Sequence, residues 1–167
     1  MTSPAPFDPV SLLETLSRHG VRFVVVGGIA GRLLGSPTVT RDLDICYARD
    51  TANLRALAAV LAEIHAQLRG VDPGPPFLPE ARTLRAGDAF TLQTDAGDLD
   101  LLGIPAGTDG YADLARTATL ADLGGMQVLV AGVDDLIRMK RAAGRPKDLI
   151  EVEVLGALRD EIEEDRG

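Results

Sequence analysis

The pattern of apolar and polar positions changes period several times along the chain, and each change marks a predicted element. Apolar residues spaced by three and four predict helices, whereas short β-branched runs bounded by glycine or proline predict strands. The predicted helices span residues 9–19, 29–34, 51–68, 111–116, 134–142 and 147–163. The predicted strands span residues 21–26, 42–47, 89–94, 98–102, 117–123 and 126–131. Turn residues at 95–97 and 124–125 predict two hairpins.

Between these elements lies one segment of unusual composition. Residues 70–79 read GVDPGPPFLP, and this density of proline and glycine predicts a mobile loop that serves as a lid or an insertion. The chain shows no internal repeat and no linker between domains. We therefore predict one domain over residues 1–167, with frayed ends at about 1–7 and 164–167.

Two features near residue 30 carry candidate chemistry. Gly27 and Gly28 follow an apolar strand and precede a short helix, where backbone N–H groups can face a phosphate. Without a ligand, the same pair would be a tight strand–helix turn. Asp42 and Asp44 alternate with core residues on the next strand, so both carboxylates point to one face. Carboxylates that repel each other in this way favour a hard cation between them, although a solvated strand edge is the simpler alternative.

A third acid is predicted on a separate strand. Asp100 lies between two leucines in DLDLL, so that strand also presents an acid on one face and leucines on the other. Asp98 shares this face but lies beside the Gly97 turn, which places it at the rim. A third acid would complete a two-metal site, and Asp100 is the best candidate for it.

The basic residues predict where an anion would be held. Lys140 falls inside the apolar arc of its helix, so it needs a partner, either a nucleoside triphosphate or Glu151 on the last helix. A snorkelling lysine at the edge of the core is the alternative. Arg145 and Lys147 follow in GRPKD, where they could equally be surface charges at helix ends. Strand alternation would point Arg41 away from Asp42, unless the strand begins after Arg41.

Composition narrows the functional classes. Of the 167 residues, 46% are hydrophobic, enough to build a core, and the formal charge of −8 argues against a broad nucleic-acid surface. A single cysteine excludes an internal disulfide. The start of the chain lacks the pattern of a signal peptide, and no apolar run is long enough to span a membrane. We expect a soluble, cytoplasmic protein without a membrane partner.

The motifs together resemble a known family. The segment VVVGGIAGRLLGSPTVTRDLDI, the later DLDLL and the distal KRAAGRPKDL are similar to the nucleotidyltransferase superfamily of the DNA polymerase β type. Within it, they look most like the bacterial AbiEii/AbiGii toxin-type nucleotidyltransferases. The resemblance covers residues 21–47, 97–102 and 134–155. It implies an α/β (α+β) fold in which a mixed sheet is flanked by helices.

The resemblance also implies roles for residues of this chain. Asp42 and Asp44 would be paired metal ligands, and Asp100 would bind metal and help to deprotonate the acceptor hydroxyl. The positions expected to bind the nucleotide are Gly27, Gly28, Thr40, Arg41, Lys140 and Lys147. The implied cofactor is Mg²⁺, as two ions, with Mn²⁺ as a substitute.

From these residues we predict an enzyme that transfers NMP from an NTP to a hydroxyl acceptor. The resemblance implies tRNA or a protein as acceptor, in a toxin–antitoxin setting with a cognate partner protein. Two alternatives stay open at this point. The first is a catalytically degenerate module that binds nucleotide or a partner, and the second is an antibiotic nucleotidyltransferase.

Overall fold

The computed structural model describes residues 5–70 and 77–167 and contains one mixed sheet flanked by helices. The helices are α1 (Pro9–Arg18), α2 (Gly27–Leu34), α3 (Thr51–Glu63), α4 (Ala81–Ala86), α5 (Tyr111–Thr117), α6 (Val133–Ala143) and α7 (Pro146–Asp165). The strands are β1 (Phe23–Val26), β2 (Asp42–Tyr47), β3 (Gln67–Leu68), β4 (Ala89–Thr94), β5 (Gly97–Leu102), β6 (Thr119–Leu123) and β7 (Met126–Val130). The predicted α+β class is therefore confirmed.

The sheet has seven strands in the order β3-β4-β5-β2-β1-β7-β6. Parallel pairs join β2 to β5 and β1 to β7, whereas the β1–β2, β3–β4, β4–β5 and β6–β7 pairs are antiparallel. Both predicted hairpins are confirmed by the β4–β5 and β6–β7 pairs. Strand β2 lies at the centre, so its residues have a strand on either side and cannot slip in register.

The central strands are buried as their sequences predict. All four residues of β1 are buried, in line with a strand covered on both faces. On β2, Leu43 and Ile45 are fully buried, whereas Asp42 and Asp44 keep some exposure on the opposite face. The alternation therefore fixes which face of the sheet carries the acids.

The third helix is shorter than predicted. Its apolar spacing extends to Leu68, but α3 ends at Glu63. His65 adopts a left-handed conformation with φ of 53°, and the Ala66 amide donates to the Leu61 carbonyl at 3.0 Å. These contacts close the helix and turn the chain into strand β3, which pairs with β4. The prediction was wrong here because the apolar spacing passes through the turn.

The segment around residue 75 is described only in part. Residues 71–76, and with them most of the predicted 70–79 lid or insertion, lie outside the described residues, as do residues 1–4 of the predicted frayed start. After this segment comes α4, a six-residue helix that the sequence did not predict. Within the described part of the chain, no helix is long and apolar enough to cross a membrane.

Candidate active site

The three predicted acids come together on one face of the sheet. Asp44 pairs in register with Asp100 across the parallel β2–β5 ladder, and Asp42 pairs with Asp98. One oxygen from each of Asp42, Asp44 and Asp100 lies within 4.8 Å of the others. Because in-register residues on adjacent strands point to the same side, the strand alternation and the β2–β5 register together create this cluster. The predicted convergence of three carboxylates is confirmed as geometry, whereas their catalytic role stays a prediction.

Burial and mutual repulsion make it costly for all three carboxylates of the cluster to be ionised together. Burial, followed by repulsion from Asp42, raises the pKa of Asp44 to about 8. Burial also raises the pKa of Asp100, although hydrogen bonds from Asp44 and Arg69 act in the opposite direction. Protonation of Asp44 relieves the repulsion. A divalent cation would relieve it better, so the donor set fits Mg²⁺ or Mn²⁺.

Neighbouring groups hold two of these acids in place. The Thr40 hydroxyl donates to Asp42 Oδ1 at 3.0 Å. The Nη2 atom of Arg69 donates to Asp100 Oδ1 at 2.6 Å. Each of these two carboxylates thus has one oxygen fixed by the protein and the other available to a ligand.

The glycine pair is required by close packing against the acids. Gly27 has φ of +67°, and a Cβ at this position would lie 1.9 Å from Asp44 Oδ2. A Cβ at Gly28 would lie 2.7 Å from the Cβ of Thr40. The pair begins α2, whose first N–H groups have no partner within the helix and can face an anion. The glycines therefore bring the start of α2 against the carboxylate cluster.

The acids and the glycines open into one cavity of about 780 Å³. Its wall also includes three basic residues of α6 and of the turn into α7, Lys140, Arg145 and Lys147. A cavity of this size with a few convergent polar groups is typical of a small-molecule site. Eight of the nine positions assigned from the sequence line this cavity. The assigned positions that line it are Gly27, Gly28, Thr40, Asp42, Asp44, Asp100, Lys140 and Lys147.

Arg41 differs from the other assigned residues. It is exposed, and it is not among the described residues that line the cavity. It precedes β2 by one position, so the predicted strand alternation does not apply to its side chain. Its assignment to nucleotide binding stays a prediction without a contact to support it.

The predicted partner of Lys140 requires a correction. The Lys140 ammonium lies 3.6 Å from Asp148 Oδ1 rather than beside Glu151, which instead accepts a hydrogen bond from Thr38 at 3.4 Å. Asp148 is fully buried, and the hydrogen bond from Arg145 lowers its pKa to about 2. Asp148 also accepts from the Arg145 amide at 3.2 Å and so caps α7. Helix capping, which an acid three residues into a helix suggests, was the signal that the sequence reading missed.

The single cysteine and the two histidines make structural contacts. Cys46 is buried and contacts the Gly103 carbonyl, and burial raises the pKa of its thiol to about 12. His19 and His65 contact Glu63 and Asp95 at 3.1 and 2.5 Å, away from the acids. Arg69, which contacts Asp100, was not predicted as a site residue. The sequence predicted that the helix continues to Leu68, so strand β3, which places Arg69 beside the sheet, was not expected.

Comparisons with known proteins agree with the architecture. By sequence, the chain matches no protein-family model and no curated protein. By structure, it is similar to TM1012 from Thermotoga maritima, a protein proposed to be a nucleotidyltransferase. The two chains superpose with a TM-score of 0.53 at 17% identity, and the match covers 96% of this chain and 97% of that one. It is also similar to the lincosamide antibiotic adenylyltransferase LnuA in its lincomycin-bound form, with TM-score 0.59, 11% identity, and coverage of 90% and 95%. The antibiotic-resistance factor ANT(2'')-Ia matches with TM-score 0.53, 15% identity, and coverage of 95% and 90%. The chain therefore has a nucleotidyltransferase-type fold along nearly its whole length.

Proposed function

We propose that this protein is a Mg²⁺-dependent nucleotidyltransferase that transfers NMP from an NTP to a hydroxyl acceptor. The observation that carries the proposal is the shared cavity, in which three clustered carboxylates face the start of a helix and a set of cations. Carboxylates hold the ions of a nucleotide complex, whereas helix N–H groups and lysines hold its phosphates. These two requirements of nucleotide chemistry meet at one place in the fold.

Asp42, Asp44 and Asp100 are the residues that would hold the ions. Thr40 restrains Asp42, and Arg69 restrains Asp100, so both carboxylates are positioned before any ligand arrives. When bound, Mg²⁺ supplies charge neutralisation at the reacting phosphate and orients the attacking and leaving oxygens. The fit rests on the clustering of the acids and on the raised pKa of Asp44.

The residues of the chain then have separate tasks in the transfer. The start of α2 and Lys140 bind the triphosphate, so the leaving pyrophosphate lies on their side of the cavity. Asp100 accepts the proton of the acceptor hydroxyl. The acceptor oxygen forms a bond to the α-phosphorus, and the bond from that phosphorus to pyrophosphate breaks. Burial that raises the pKa of Asp100 makes this carboxylate a better base.

For the acceptor, the resemblance of the sequence favours tRNA or a protein, in a toxin–antitoxin setting. A formal charge of −8 argues for a protein or a small molecule over a long RNA, although a local basic patch could still guide a tRNA end. A second candidate is a small antibiotic. It is favoured by the structural likeness to LnuA and ANT(2'')-Ia, which act in antibiotic modification and resistance as their names state.

The test is transfer of label from each of the four α-labelled NTPs in the presence of Mg²⁺. Separate reactions contain tRNA, a protein extract, lincomycin or an aminoglycoside, and the labelled species is identified by mass. We expect label on one acceptor class, and we expect Asp42→Ala and Asp44→Ala to abolish it while the melting temperature shows a folded protein. Asp122→Ala, which removes an exposed acid from the β6–β7 turn, is the matched control and should keep full activity.

The degenerate-module alternative makes a different prediction. Titration calorimetry with each NTP and Mg²⁺ would then show binding, but no acceptor would be labelled and no pyrophosphate released. Retention of all three acids in one cluster argues against this alternative. Labelling that persists in the Asp42 and Asp44 variants would refute the proposed mechanism itself.

A further inference from the structure

Arg69 makes the closest basic contact with the acid cluster, and it enters from outside the cavity-lining residues. It follows β3 directly, and its amide donates to the Thr91 carbonyl at 2.9 Å, which extends the β3–β4 pairing by one residue. Thr91 is the in-register neighbour of Asp100. The sheet edge therefore delivers the Arg69 side chain across β4 to the acid on β5.

The guanidinium group makes three contacts with fixed directions. The Nη2 atom of Arg69 donates to Asp100 Oδ1 at 2.6 Å and to the Leu92 carbonyl at 2.9 Å. The Nε lies 3.3 Å from Asp98 Oδ2, without a well-aligned hydrogen bond. The side chains of Arg69 and Asp100 are 30% and 17% exposed, so the pair is largely shielded from water. A planar group held at three points restricts the rotation of the carboxylate that it binds.

The charges around the cluster are distributed on two sides. Lys140 lies on the α6 side, where it lines the cavity. Arg69 lies on the β4 side, where it donates a hydrogen bond to Asp100. Arg69 binds only one oxygen of Asp100, so the second oxygen stays available to an ion or an acceptor hydroxyl.

We propose that Arg69 is a positioning residue, which fixes the orientation of Asp100 so that its second oxygen faces the reacting groups. Asp98 and the Leu92 carbonyl hold the guanidinium group from behind. The role rests on the proposed function, since it concerns the acid that would bind metal and accept the proton. A merely blocking role, in which Arg69 occupies the place of a cation, predicts the opposite result in the experiment below.

The test compares Arg69→Met with Arg69→Lys. Methionine removes both the charge and the fork of donors, whereas lysine keeps the charge but reaches only one acceptor at a time. Binding of Mn²⁺ is measured by calorimetry with a non-transferable α,β-methylene NTP analogue. If positioning dominates, Arg69→Met weakens Mn²⁺ binding by about 10–100-fold, although it removes a positive charge, and Arg69→Lys restores part of the loss.

Turnover gives the second readout. At saturating Mg²⁺, we expect Arg69→Met to lower kcat by about 10–100-fold with the KM for NTP unchanged, since Arg69 lies away from the phosphate-binding residues. Arg138→Met is the matched control, because Arg138 also bridges two acids, Asp113 and Asp135, at 3.1 and 2.9 Å, but away from the cluster. It should lower the melting temperature and leave Mn²⁺ binding and kcat unchanged.

The outcomes separate the two claims. Tighter Mn²⁺ binding or unchanged kcat in Arg69→Met overturns the positioning role. Weakened Mn²⁺ binding in that variant supports the positioning role. If the unaltered chain nevertheless labels no acceptor, the proposed transfer is refuted while the positioning role stands.

Discussion

Gly27 provides the sharpest perturbation of the acid cluster. Its φ of +67° is costly for any residue with a Cβ, and the Cβ of an alanine would lie 1.9 Å from Asp44 Oδ2. Carbon and oxygen atoms that are not bonded stay more than 3 Å apart, so the carboxylate or the start of α2 must move by about 1 Å. A displacement of about 1 Å in a catalytic group costs roughly 100-fold in rate. We therefore expect Gly27→Ala to lower kcat for NMP transfer by about 100-fold.

Gly124 separates the conformational cost from the steric cost. It has the same φ of +67°, in the β6–β7 turn, and an added Cβ there would meet nothing within 4 Å. A left-handed residue with a Cβ costs roughly 1–2 kcal/mol, so Gly124→Ala should lose about that much stability and no activity. Gly27→Ala should lose the same amount plus the cost of displacing Asp44, measured by urea unfolding without metal.

The comparison can refute the argument in two ways. Equal losses of stability in Gly27→Ala and Gly124→Ala would show that the contact with Asp44 does not restrain the backbone. Full activity in Gly27→Ala would show that the position of Asp44 relative to α2 does not matter for transfer.

Further predictions follow from the charged residues of the cavity. Because the folded-state pKa of Asp44 is raised from 3.8 to about 8, the folded chain holds a proton that the unfolded chain releases. Thermal melts without metal should therefore show that stability falls as the pH rises from about 4 to 8. Asp44→Asn should flatten this fall, and a steep fall in that variant would be contrary evidence. The pKa of Asp148 is lowered to about 2, so its contribution to folding stability is present above about pH 4 and is lost as the pH falls towards 2. Asp148→Asn should therefore melt at a lower temperature at pH 7, and an equal melting temperature would argue against this contribution. Lys140→Met should raise the KM for NTP at least tenfold in steady-state assays, since a charged hydrogen bond contributes about 1.5–3 kcal/mol, and an unchanged KM would place the triphosphate elsewhere.

The sequence predicted the centre of the fold better than its edge. Alternation of Asp42 and Asp44 with Leu43 and Ile45 predicted the acid face, because in a central strand burial leaves one register only. At the edge, the apolar spacing of Leu61 and Leu68 ran through a turn that a left-handed His65 creates. Such a conformation is rare outside glycine, so the turn could not be predicted from the residue type.

The limits of the site prediction have the same physical origin. The convergence of Asp100 with the other acids followed from strand patterns, but the ladder that places it opposite Asp44 is a long-range pairing that one sequence does not specify. Arg69 depends on the unpredicted strand β3, so its contact with Asp100 could not be anticipated. The contact between Asp148 and Lys140 was missed for another reason. Asp148 caps α7, and an acid at the start of a helix does not by itself indicate that it is buried beside a lysine.

The central claim is that the α-phosphorus of an NTP is the reacting centre, and a double-label experiment tests it most directly. The chain is incubated with Mg²⁺ and an NTP that carries one label on the α-phosphate and a second label on the γ-phosphate, together with the acceptor pool. The account predicts that the acceptor gains the α-label alone and that pyrophosphate carries the γ-label away. Transfer of the γ-label, or release of pyrophosphate that continues in Asp42→Asn, would contradict it.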